Sequence, residues 1–216
     1  MIEFQKVTAT YKKDVGVFDI SFQVDAGEMV FLMGPTGAGK STVLKAIYRG
    51  MAVDAGKIII DGEDISALSR YKIPRIRQKI GMIFQDFKLL NNRTVLENVA
   101  LPLRIMGCST EVIYTKVNET LSQVGLTNLY NSYPLELSGG EQQRVCIARA
   151  LVKNPKIILA DEPTGNLDPN VSDEILDLLD LFTETGSAVL MSTHNFPLIK
   201  PRKKRFVELS EGRIVD

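Results

Sequence analysis

The sequence predicts an α/β fold: a mainly parallel sheet with helices, an antiparallel β piece on its N-terminal side and an inserted α-helical region. Three observations carry this. The apolar runs Met29 to Met33, Ile157 to Ala160 and Ala188 to Met191 alternate with helical stretches, as buried parallel strands do. Residues 1–60 read mostly as strands. From Thr94 to about Val124, apolar residues recur at helical spacing, as in Val112, Ile113, Val117 and Leu121.

In chain order, Phe22 to Val24 and Met29 to Met33 are short strands separated by the turn Asp25-Ala26-Gly27. A glycine-rich loop begins at Gly34, and a helix runs from Lys40 until Gly50 stops it. Lys57 to Ile60 is a strand ending in the turn dipeptide Asp61-Gly62. After the helical region, a helix from Glu141 through Ala150 follows the possible cap Ser138. A further helix spans about Val171 to Thr183, and Phe206 to Val215 reads as two short strands around Ser210-Glu211-Gly212.

A chain of 216 residues is long enough for one domain with a real core. Lys plus Arg and Asp plus Glu both number 26, so net charge gives no reason to expect nucleic acid as the partner. Two cysteines without a CxxC argue against a disulfide framework or a zinc site and fit a reducing compartment. The acid in Met1-Ile2-Glu3-Phe4 does not suit a signal peptide, and no apolar run approaches the ~20 residues of a membrane helix. A cytoplasmic chain is expected, with any membrane contact made through a partner.

Gly34-Pro35-Thr36-Gly37-Ala38-Gly39-Lys40-Ser41, followed by Thr42, matches GxxxxGK[ST] between a strand and a helix. Glycines let backbone N–H groups curl around phosphate oxygens, and the helix N-terminus adds a positive dipole end. Lys40 would reach the β- and γ-phosphates, and Ser41 the Mg²⁺. Ile157 to Ala160 ends in Asp161 and Glu162. Asp161 there can hold Mg²⁺ through water, and Glu162 can polarise an attacking water. Leu137-Ser138-Gly139-Gly140-Glu141-Gln142-Gln143 makes either an ordinary N-cap or a second anion site on a second helix N-terminus.

That last stretch, after a P-loop and before the Asp161-Glu162 strand, resembles the signature motif of ABC ATPases, and the resemblance covers essentially the whole chain. It implies an ABC ATPase fold: a RecA-like P-loop core over residues 1–86 and about 146–216, and a helical signature subdomain over about 87–145. It implies that Gln85 senses Mg²⁺ and the γ-phosphate, that Asn166-Leu167-Asp168 is the D-loop, that His194 is the switch histidine and that Tyr11 stacks on adenine. Asn195 departs from the aspartate common after that histidine. The family sandwiches ATP between the P-loop of one copy and the signature loop of another, so a head-to-tail homodimer with ATP and Mg²⁺ is expected.

Within the family, Ile80 to Leu90 and Arg93 to Leu103 are similar to the bacterial cell-division ATPases, with related segments in the lipoprotein-release and macrolide-export ATPases. This implies an integral membrane partner. The apolar run around Phe87, Leu89 and Leu90 is expected either to pack the helical region or to line a groove for that partner. The basic run Lys200 to Arg205 is expected to be a solvated turn or, alternatively, to face anionic lipid.

Overall fold

A computed structural model describes residues 1–12 and 15–215. Two sheets form. The first is antiparallel, in the order β2 (Val15–Val24), β1 (Ile2–Lys12), β4 (Ala55–Ile60), β5 (Glu63–Asp64). The second has the order β10 (Arg213–Val215), β9 (Arg205–Ser210), β3 (Met29–Met33), β8 (Ala188–Thr193), β7 (Ile157–Asp161), β6 (Ile80–Ile83). All its pairings are parallel except that of the β10 edge.

The parallel strands are apolar on both faces because both faces are covered. Phe31, Ile158, Ala160, Val189 and Met191 point into one core cluster. Their chain neighbours Val30, Leu32, Ile157, Leu159 and Leu190 point into the other. The first cluster is closed by α3 (Val95–Ile105), α4 (Thr110–Gln123), α5 (Gly139–Leu151) and α6 (Pro169–Glu184). The second is closed by α1 (Lys40–Ile47), α2 (Ile73–Lys79) and the antiparallel sheet. A last short helix is α7 (Phe196–Ile199).

Most expected elements lie close to the observed ones, several are longer, and one region is divided; the strand expected over Phe22 to Val24, for example, begins at Val15. The helix expected from Val171 starts at Pro169, because Asp168 caps it and proline suits the first helical position. The strand expected from Lys57 starts at Ala55, since Gly56 (φ 80) lets it pass β1 where a Cβ would sit 2.2 Å from the Lys6 carbonyl oxygen. The helical region is divided between α3 and α4 at Gly107, which adopts φ 75. Strands β5 and β6 and helices α2 and α7 are additions. Four adjacent parallel strands, β3, β8, β7 and β6, thus bring their C-terminal ends to one edge, where α/β sheets bind ligands.

Candidate active site

The loop after β3 doubles back at Gly34, whose φ of 144 and 2.2 Å Cβ approach to the Leu209 carbonyl oxygen admit only glycine. It enters α1 at Gly39, also left-handed, and the buried Lys40 turns back beneath the loop. The Lys40 ammonium donates to the carbonyls of Gly34 at 2.8 Å and Pro35 at 3.1 Å, and lies 3.4 Å from Glu162 Oε1. Pro35, Thr36 and Gly37 are exposed at the loop tip, Ala38 is buried, and Thr42 is buried in α1.

The end of β7 meets this loop directly. Asp161 Oδ1 accepts from the Ser41 hydroxyl at 3.0 Å and from the fully buried Ser192 hydroxyl at 2.7 Å. Glu162 then adopts φ 45, a left-handed conformation unusual for a side chain of that size. Its N–H donates to the Ser192 carbonyl at 3.1 Å and to the Ser192 hydroxyl at 3.0 Å, which hold the turn. The result aims the carboxylate between two groups, with Oε1 near Lys40 and Oε2 at 3.0 Å from His194 Nδ1. Gln85, just beyond β6, reaches the same place. At Gly165 a Cβ would meet Gln85 Nε2 at 3.3 Å and Glu162 Oε2 at 3.8 Å. One edge thus gathers a buried cation, two carboxylates, a hydroxyl, an amide and an imidazole. The pair Ser41 and Asp161 offers hard oxygens of the kind Mg²⁺ takes, and Lys40 with the α1 N-terminus suits phosphate.

The family model described as ABC transporter matches residues 17–165. The chain belongs to the ABC transporter family of ATPases. The cell division ATP-binding protein FtsE of Escherichia coli K12 is 47% identical over 99% of this chain and 97% of its own length. The same-named protein of Mycobacterium tuberculosis is 45% identical over 100% of this chain and 94% of its own. The dimeric post-hydrolysis structure of the ATP-binding cassette MJ0796, bound to ADP and Pi, has a TM-score of 0.89 and 36% identity, covering 100% of this chain and 97% of that one. Family membership makes this chain an ATP-binding, ATP-hydrolysing subunit of the ABC type.

The remaining ABC ATPase candidates are spread more widely. Ser138 caps α5 in a reciprocal box: its hydroxyl accepts from the Glu141 N–H and Glu141 returns a bond to the Ser138 N–H at 2.8 Å. That serine-carboxylate contact holds the Glu141 carboxyl below the usual range. Gly139 adjoins Leu167, and Asp168 caps α6, so the signature loop and the D-loop lie side by side. No hydrogen bond or ion pair links Ser138, Gly139 or Gly140 to the P-loop among the described residues. Tyr11 is 52% exposed near the end of β1, with the Lys45 ammonium 5.4 Å from its ring. Asn195 caps α7 through its side chain, accepting from the Leu198 N–H at 3.3 Å.

Geometry bears on two surface expectations. In the run Lys200 to Arg205, Arg202 pairs with Asp173, Asp177 and Asp180, Lys204 with Asp180, and Arg205 with Glu28, so most of its charge is compensated within the chain. Beside Gln85, a groove of about 300 Å³ is lined by Tyr48, Met82, Phe84, Pro102, Arg149 and Lys153 among others. Phe87 and Leu90 are not in that lining, and Leu89 packs against the first core cluster. Phe87 and Lys88 both adopt left-handed φ, which takes Phe87 off the line of the strand. Sequence reasoning missed Ser192, Cys146 and Arg149. Ser192 and Arg149 each hold the backbone or a carboxylate of a candidate residue from an element remote in sequence, which leaves no local motif.

Proposed function

We propose that the chain hydrolyses Mg²⁺–ATP as a head-to-tail homodimer and serves bacterial cell division with an FtsX-like integral membrane protein at the cytoplasmic face. The observation that carries the hydrolytic part is the Glu162 carboxylate, poised between Lys40 at 3.4 Å and His194 at 3.0 Å. Gly34, Pro35, Thr36, Gly37, Ala38, Gly39 and Thr42 surround the phosphates, and Tyr11 offers its ring to adenine. Ser41, Asp161 and Gln85 would hold Mg²⁺, which would supply charge neutralisation on the phosphates. Lys40 exchanges its loop carbonyls and Glu162 for phosphate oxygens, which frees the carboxylate. Glu162 then accepts a hydrogen bond from the attacking water and orients it, while His194 steadies the carboxylate from the other side.

The second copy supplies Ser138, Gly139, Gly140 and Asp168, because a single chain does not bring them to its own P-loop. The dimeric cassette bound to ADP and Pi supports this pairing. The full-length likeness to FtsE proteins supports the cell-division role. Among the described residues no helix is long and apolar enough to cross a membrane. Membrane contact is therefore assigned to the partner, whose helix takes the groove beside Phe84, and no nucleic acid is assigned. Residues 87–145 are the helical unit that moves against the core.

Glu162→Gln keeps the shape and removes the charge. Phosphate release should fall by about 10²-fold or more while ATP affinity, read by titration, is retained. Turnover within a few fold of the unsubstituted chain would remove Glu162 from this role.

A further inference from the structure

We propose that Arg149 is a positioning residue for Gln85, tying it mechanically to the signature helix α5. The inference rests on the reading of Gln85 given above. Two residues after Gln85 the chain does something costly for ordinary side chains: Phe87 and Lys88 adopt φ of 58 and 51 in succession. Such conformations persist only where surrounding structure holds them. The Phe87 N–H donates back to the Phe84 carbonyl at 3.3 Å and the Lys88 N–H to the Asp86 carbonyl at 2.5 Å, which curls the segment tightly around Gln85.

The carbonyls freed by that curl turn to α5. Arg149 Nη2 donates to the Phe87 carbonyl at 2.7 Å and Nη1 to the Lys88 carbonyl at 2.6 Å. The Cys146 thiol donates to the Phe87 carbonyl at 2.8 Å. A planar guanidinium engaging two consecutive carbonyls fixes direction as well as distance, which a lysine cannot do. Arg149 forms no ion pair among the described residues, so these carbonyls are its main partners.

The other end of α5 is the signature loop. Eleven residues separate Ser138 from Arg149, about 16 Å along a helix that transmits displacement as one body. A shift of Ser138 toward the P-loop of a second copy therefore pulls on Phe87 and Lys88, and through them on Gln85. Arg149 touches no reacting atom; it acts through the glutamine.

The experiment is a double-mutant cycle on the full-length chain, reading kcat by phosphate release, ATP affinity by titration and Tm. Arg149→Met should lower kcat by about ten-fold and leave ATP affinity within about two-fold. Arg149→Lys, the conservative variant should methionine not fold, should also lower kcat. Combined with Gln85→Ala, either substitution should cost nothing further, because both act on one element. Adding Lys88→Gly to Arg149→Lys should restore part of the lost kcat, since glycine holds the left-handed turn without a clamp. Multiplicative losses in the Gln85→Ala background, or an Arg149→Lys chain at full kcat, would overturn the clamp alone. Full kcat in Gln85→Ala itself would overturn the reading of the glutamine and the clamp with it.

Discussion

Gln143, three residues before Cys146 on α5, is fully buried with neither amide atom paired among the described residues. An unpaired buried polar group costs about 1–3 kcal/mol. Gln143→Met keeps the volume and removes both atoms. It should stabilise by about 1 kcal/mol, seen as a Tm about 2–4 °C higher by calorimetry. A lower Tm would mean that the amide is satisfied. Lys153, in the groove beside Phe84, is the opposite case: burial pushes its ammonium down to about 8 from the usual 10.5. Between those values the unfolded chain binds a proton that the folded chain has shed. That contribution to stability therefore rises with pH across the window, and below about 8 the charge, half-buried and donating to the Arg77 carbonyl at 2.6 Å, is a cost. Lys153→Met should raise the urea midpoint most at neutral pH, with the advantage shrinking towards pH 10.5. A difference independent of pH would contradict the burial argument.

Helices α3 and α5 start with the same device, a hydroxyl cap answered by a glutamate three residues on. That shared start separates capping from catalysis. Thr94→Ala should cost about 1 kcal/mol and lower Tm by about 2–4 °C, with turnover of the folded chain unchanged. Ser138→Ala should show the same thermal loss and also lower turnover, because its hydroxyl is assigned to the nucleotide of the second copy. Thermal loss without kinetic loss would leave Ser138 an N-cap only. Glycine acts at this scale too. Gly107 divides the helical region into two helices, because a residue at φ 75 closes one helix before Ser109 caps the next.

Among the described residues no hydrogen bond or ion pair joins the P-loop of one chain to its own signature loop, so in the proposed dimer completeness is a property of the pair. A two-fold head-to-tail dimer satisfies both loops twice. Ser138→Arg chains should bind ATP yet fail to turn it over, and Lys40→Ala chains should fail to bind it. Mixed, they should recover activity, since one of the two composite sites in each heterodimer is intact. Phosphate release absent at every mixing ratio, with both chains folded, would count against the pairing. The parallel strands were legible in the sequence because burial on both faces writes continuous apolar runs, and the helix caps because their chemistry is local. The P-loop and Asp161-Glu162 were legible for the same reason: each sits within a few residues of a strand end. Gln85 and Tyr11 carried no local signal, and His194 only its place just past a strand end, so all three needed resemblance to a family. Tertiary structure alone decided that strands β3, β8, β7 and β6 lie side by side, and so that Lys40, Glu162, His194 and Gln85 converge. It alone decided that Ser192 braces Asp161 and that Arg149 grips the turn after Gln85. Such contacts join residues remote along the chain through bonds to single atoms, several of them backbone carbonyls that every residue possesses. Residue identity and spacing therefore leave no trace of them.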